Sequence, residues 1–164
     1  MKEIDLGQRA AEILSACIYA NIATSGEDGP WNTPATALPD AGLNFYWSSW
    51  VNAVHSKNLC ANGQAFLTFY DSTRARGTNN KMCLYLRCEA REVPDPAEAA
   101  KAAELLYPDE QVDLSMFLAG GIKRFYRATP TTAWLNSLSE RELEPGTLKM
   151  RVEVPLDDIN RSRG

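Results

Sequence analysis

A single histidine stands in 164 residues, and none of the four cysteines forms a C-x-x-C pair. Cys83 and Cys88 are an odd number of residues apart on a segment that reads as a strand, so they face opposite ways. Both facts argue against a zinc or other metal centre. Basic charge is also in short supply, with 17 Lys and Arg against 21 Asp and Glu, a net charge of −4. That balance provides no broad basic surface for nucleic acid or an anionic membrane. No apolar run approaches the ~20 residues a membrane helix needs. The start, Met1-Lys2-Glu3-Ile4-Asp5, lacks an apolar signal core behind a basic patch. The expectation is a cytoplasmic protein with reduced, mostly buried thiols. Repeats, low-complexity stretches and linkers are absent too. The chain therefore reads as one domain over 1–164, with its core at about 8–155 and a short C-terminal tail.

Apolar residues make up 45% of the chain, enough for one sizeable core. Leu6, Ala10, Ile13, Leu14 and Cys17 recur at helical spacing. Tyr19–Ser25 reads as a strand, Gly26-Glu27-Asp28-Gly29 as a turn, and Trp31–Leu38 as a second strand. Pro34 predicts a bulge or an edge position for that strand. Leu43–Ser48 reads as a strand with Leu43, Phe45 and Trp47 on one face. A short helix over 53–61 ends at Asn62-Gly63. Gln64–Tyr70 and Met82–Val93 are further strands, joined by the polar loop 72–80. Asp95, Pro96 and Glu98 form a helix start with a capping box, and Pro108 follows the helix. Leu114–Ala119 reads as a short helical piece; 122–128, 132–135 and 147–154 read as the last strands. Without βαβ alternation, this order favours a mainly β fold, an antiparallel barrel or sheet with helices outside.

One stretch carries chemistry. A strand ends in Trp47, Ser48 and Ser49, and a loop leads into a short helix whose early residues are His55, Ser56 and Lys57. A helix N-terminus presents unpaired N–H groups and a positive dipole end, which suit an anion. Ser56 can add a hydroxyl donor, Lys57 a compact positive charge, and Ser48 and Ser49 can close the cradle. From spacing alone a second reading stands beside this one and is the commoner arrangement: Ser49 or Asn52 merely caps the helix and Lys57 is solvated. The four tryptophans, Trp31, Trp47, Trp50 and Trp134, are candidates for pocket walls, with at least two expected in the core. Arg74 and Arg76 sit in the polar loop, where exposed arginines are usual.

Several segments taken in order resemble the pyridoxamine 5′-phosphate oxidase-like family of FMN-binding split barrels. They are 19–25, Gly29-Pro30-Trp31-Asn32-Thr33-Pro34, 43–48, Ser56-Lys57-Asn58-Leu59, 65–70, 84–93, Arg124–Pro130 and Ala133-Trp134-Leu135-Asn136. The resemblance covers roughly residues 8–155. It implies a six- to seven-stranded antiparallel split β-barrel with flanking helices, FMN as cofactor, and a homodimer with cofactor sites at the interface. By position, Ser56 and Lys57 match the residues that contact the flavin phosphate, with His55, Ser48, Ser49 and Trp47 beside them. Asn32, Thr33, Pro34 and Ala35 match the strand that lines the ring. Trp134 lies on a stretch that packs near the ring, in many members from the partner chain. The expected activity is oxidoreduction of a small organic molecule, or else flavin or haem binding without turnover. The sequence singles out no catalytic residue. True pyridoxamine phosphate oxidases carry an arginine and a lysine where Asn32 and Ala37 stand here, and 147–164 lacks an Arg-x-His pattern. That departure predicts no vitamin-oxidase activity.

Overall fold

The structure is a computed structural model describing residues 5–77, 82–136 and 151–164. Its frame is one antiparallel sheet curled into a split barrel. The strands are β1 (Tyr19–Gly26), β2 (Gly29–Thr36), β3 (Leu38–Pro39), β4 (Phe45–Trp50), β5 (Gln64–Tyr70), β6 (Cys83–Glu92), β7 (Lys123–Asn136) and β8 (Arg151–Val154). They run in the order β2-β1-β5-β6-β7-β4-β3, and β8 pairs with β7. Among the described residues four α-helices flank the sheet: α1 (Leu6–Ala16), α2 (Val54–Asn62), α3 (Pro96–Leu106) and α4 (Leu156–Arg163).

Local chemistry explains three of the helix ends. Asp5 caps α1 by accepting from the Gln8 N–H, and Asp95 caps α3 by accepting from the Glu98 N–H. Gly63, at φ 67°, ends α2 in the left-handed conformation that a side chain disfavours. The capping box at α3 does not close. Glu98 instead accepts from Arg91, Arg127 and the Tyr46 hydroxyl, tying the helix to the sheet.

Alternation along the strands builds the main core. Ile22, Phe45, Trp47, Leu67, Phe69, Leu84, Leu86 and Leu135 fill the barrel, with Leu43 beside them as its spacing predicts. A second cluster lies under α3, where Phe117 stacks on Phe125 at 4.2 Å beside Val93 and Ala102.

Of the two positions expected for Pro34, the structure has the edge: β2 is an edge strand, and it pairs with β1 without a register shift. Other expectations are corrected. Segments 122–128 and 132–135 form one strand, β7. A register shift beside Pro130 leaves Thr131 extra, its hydroxyl donating to the Arg87 carbonyl, so the strand passes the proline intact. β4 begins at Phe45 because Leu43 holds φ 64° in the preceding turn. The thiols are less buried than expected, with Cys60 exposed and Cys17 half-buried. Cys88 does lie in the barrel core, opposite in face to Cys83, and desolvation pushes its thiol up to about 12. The first four residues of the strand expected at 147–154 lie outside the described residues.

The helix α4 is an element the sequence reading does not foresee. It packs on α1, with Ile159 fully buried in the main core. Gly7 permits the contact, since a Cβ there would sit 2.7 Å from the Asp158 carbonyl oxygen. Ile159→Ala should therefore cost about 2–4 kcal/mol of unfolding free energy. A denaturant titration showing a loss below about 0.5 kcal/mol would mean that α4 is not docked.

Candidate functional site

The junction of β4 and α2 is built around one carbonyl. The Trp50 carbonyl accepts from the Ala53 N–H at 3.1 Å and from the Ser56 hydroxyl at 2.8 Å. This double contact turns the chain into α2. Ala53 occupies the N-cap position and offers no side-chain hydrogen bond, so neither Ser49 nor Asn52 caps the helix. The N–H groups of Val54, His55 and Ser56 thus open a helix end without a capping side chain. Lys57 is exposed and makes no ion pair among the described residues.

The serines divide. Ser56 is buried, with its proton committed to Trp50, so it shapes the helix start. Ser48 shares a 2.7 Å hydrogen bond with the Tyr107 hydroxyl, next to the cluster under α3. Ser49 lies on the same face of β4 as Trp47, toward the barrel. Trp47 is fully buried and stacks on Tyr126 at 5.6 Å, which makes it core rather than an open wall.

The strand β2 presents its four candidate residues alternately. Asn32 and Pro34 pair with Ala23 and Asn21 on the outer face of the sheet, and Asn32 donates to the Asn21 side-chain oxygen at 3.3 Å. Thr33 and Ala35 pair with Ile22 and Ala20 on the opposite face. There Thr33 Oγ1 lies 3.2 Å from His55 Nδ1 and accepts from Trp31 Nε1 at 2.9 Å. Strand and helix are therefore joined by a short chain of polar atoms. His55 is 6% exposed, and desolvation lowers its pKa below the ordinary value. Thr33 Oγ1 and His55 Nδ1 share this hydrogen bond, and the imidazole tautomer sets which of them donates. Sequence reasoning missed this link because its partners are 22 positions apart and neither has a local signature.

Trp134 is half-buried on the outer face. It stacks on Phe66 at 6.1 Å, with the Arg87 guanidinium 5.2 Å from its ring centroid. Within one chain it is far from Asn32, because β1, β5 and β6 separate β2 from β7. Four strand spacings amount to about 19 Å. Ala37 is fully buried and offers nothing to a ligand. Arg74 pairs with Asp71 at 2.9 Å, and Arg76 is exposed.

No family model matches the chain, and no curated protein matches it. Solved structures do. A protein from Listeria innocua, provisionally named a pyridoxamine 5′-phosphate oxidase, matches 79% of this chain and 97% of its own, at 15% identity and TM-score 0.62. A heme binding protein from Mycobacterium smegmatis matches 98% of this chain and 62% of its own, at 13% identity and TM-score 0.67. A FAD-binding protein from Mesorhizobium loti matches 76% and 88%, at 16% identity and TM-score 0.55. The likeness is one of fold, and the chain has the split-barrel fold of the pyridoxamine 5′-phosphate oxidase-like proteins.

The burial of His55 has a consequence for stability. The unfolded chain takes up a proton near the ordinary histidine value of 6.5, whereas the folded chain resists it. Between the folded pKa and that value the unfolded state binds more protons, so stability falls as pH drops through the window. Unfolding titrations between about pH 7 and pH 5 should show this loss, and His55→Asn should remove part of it. A difference between wild type and variant that does not change with pH would show that His55 titrates alike in both states.

Proposed function

We propose that this chain binds FMN and acts as a flavin-dependent oxidoreductase on a small organic molecule, as a homodimer with cofactor sites between the subunits. The observation that carries the reading is the open N-terminus of α2, with Lys57 exposed beside it. An anionic phosphate fits this group of residues: the start of α2 offers N–H groups without a capping side chain and a positive dipole end, Lys57 follows within the first turn, and no carboxylate pairs with Lys57 among the described residues. Ser56 serves by holding the turn, and Thr33 and His55 fix β2, the strand proposed to line the ring, against the helix. When bound, the flavin supplies the electron transfer. The protein's part is to orient the ring and limit its access to water. Asn32 and Ala37 supply no positive charge, in keeping with a function other than vitamin oxidation.

The second reading, a binding module for flavin or haem without turnover, draws on the fold shared with a heme binding protein. A haem held through histidine would have to use His55, which is buried with Nδ1 engaged by Thr33. An absorption spectrum separates the two ligands, since a flavin and a haem absorb in different bands.

Lys57→Ala tests the phosphate contact. A charge-assisted hydrogen bond partly shielded from water contributes about 1.5–3 kcal/mol, so FMN affinity should fall roughly tenfold to a hundredfold. Riboflavin lacks the phosphate and its affinity should hardly change. Equal losses for both ligands would indicate damage to the fold, and no loss for either would leave Lys57 a solvated residue. The assembly is checked separately by light scattering at micromolar concentration. Twice the chain mass is expected, and a single chain mass would overturn the interface site.

A further inference from the structure

We propose that Trp31 is the stacking platform for the planar ring of the ligand, an inference that rests on the flavin reading above. Trp31 is 46% exposed, yet it is not a loose surface side chain. Its Nε1 donates to Thr33 Oγ1, which in turn meets His55 Nδ1. His55 is the second residue of α2 and is buried. The open indole is thus held by a polar chain anchored in the first turn of the helix proposed to hold the phosphate. The chain of contacts ties the aromatic plane to the same helix start, as recognition of a phosphorylated planar heterocycle requires. Because the ring is already tethered, little rotamer freedom is lost on binding. Its strand lies at the edge of the sheet, so among the described residues no further strand pairs on that side. The indole face is electron-rich, which favours an electron-poor ring such as oxidised isoalloxazine.

Titration of FMN and riboflavin into wild type, Trp31→Ala and Trp31→Phe tests this. Loss of an aromatic stacking partner typically weakens binding about fivefold to a hundredfold. Trp31→Ala should weaken both flavins alike, unlike Lys57→Ala, which should weaken FMN alone. Trp31→Phe keeps a ring but loses the Nε1 tether, so it should weaken both flavins less than Trp31→Ala does. Flavin bound to wild type should be dim, since a stacked indole quenches its emission, and flavin bound to Trp31→Ala should be brighter. Unchanged affinity for both flavins in Trp31→Ala, or a loss confined to FMN, would overturn the proposal. So would a change in assembly mass at unchanged affinity, which would make Trp31 a subunit contact. If wild type binds neither flavin, the flavin reading itself fails and the proposal falls with it.

Discussion

Hydrogen bonding along both edges of β7 is the constraint on which the rest of the barrel depends. β6 follows one edge over most of the strand, while the other edge is shared, β4 taking residues 123–128 and β8 taking 133–136. The barrel splits where one partner stops before the next begins. Pro130 falls in that gap, where a residue without an N–H is tolerated best. The two cores lie on the two faces of this strand. Residues facing the barrel join the main cluster, and Phe125, on the other face of β7, joins the cluster beneath α3.

The start of α2 inherits its position from this frame. β4 is held against β7 up to the Trp50–Lys123 pair, and the Val51 N–H continues the contact to the Ile122 carbonyl. The Trp50 carbonyl then receives Ala53 and Ser56, so the helix begins at a point fixed by the sheet. The bond from Ser56 has two effects. It takes the place of a capping side chain in ordering the turn, and it withdraws that hydroxyl proton from any ligand. What remains available to an anion is backbone N–H and Lys57, a donor set suited to a phosphate.

Elements with local chemical signals were legible in the sequence. The Asp95-Pro96 start, the Asn62-Gly63 stop, the Gly26–Gly29 hairpin and the amphipathic α1 each depend on residues within one or two turns of each other. The helix α4 was not legible. Its composition is mostly polar, and only Leu156 and Ile159 mark its apolar side. It is stabilised by docking on α1, where Gly7 removes the side chain that would clash. The site divides in the same way. Strand, loop and helix could be read in order, but which serine turns toward α3 and which closes the turn depends on Tyr107 and on the Trp50 carbonyl. The link from Thr33 to His55 is a tertiary contact with no periodicity to reveal it.

The outer face of the sheet bears on the homodimer reading. Phe66, Tyr85 and Trp134 form an aromatic strip there, with Arg87 against Trp134 and Arg151 at 3.6 Å from the Tyr85 ring centroid. Aromatic rings with arginines held on them are a composition enriched at protein interfaces. Trp134 and the outward-facing Asn32 share this face, but β1, β5 and β6 lie between their strands, about 19 Å measured along the curled sheet. On the outside of a curled sheet such side chains point in different directions, so one planar ring does not lie flat against both. If Trp134 touches a flavin held between β2 and α2, it comes from a second copy of the chain. In a two-fold dimer each copy then gives its strip to the other, and two equivalent sites form together. The dimer reading and the placement of Trp134 near a ring thus depend on each other, whereas the residues proposed to hold the phosphate all lie on α2 of one chain.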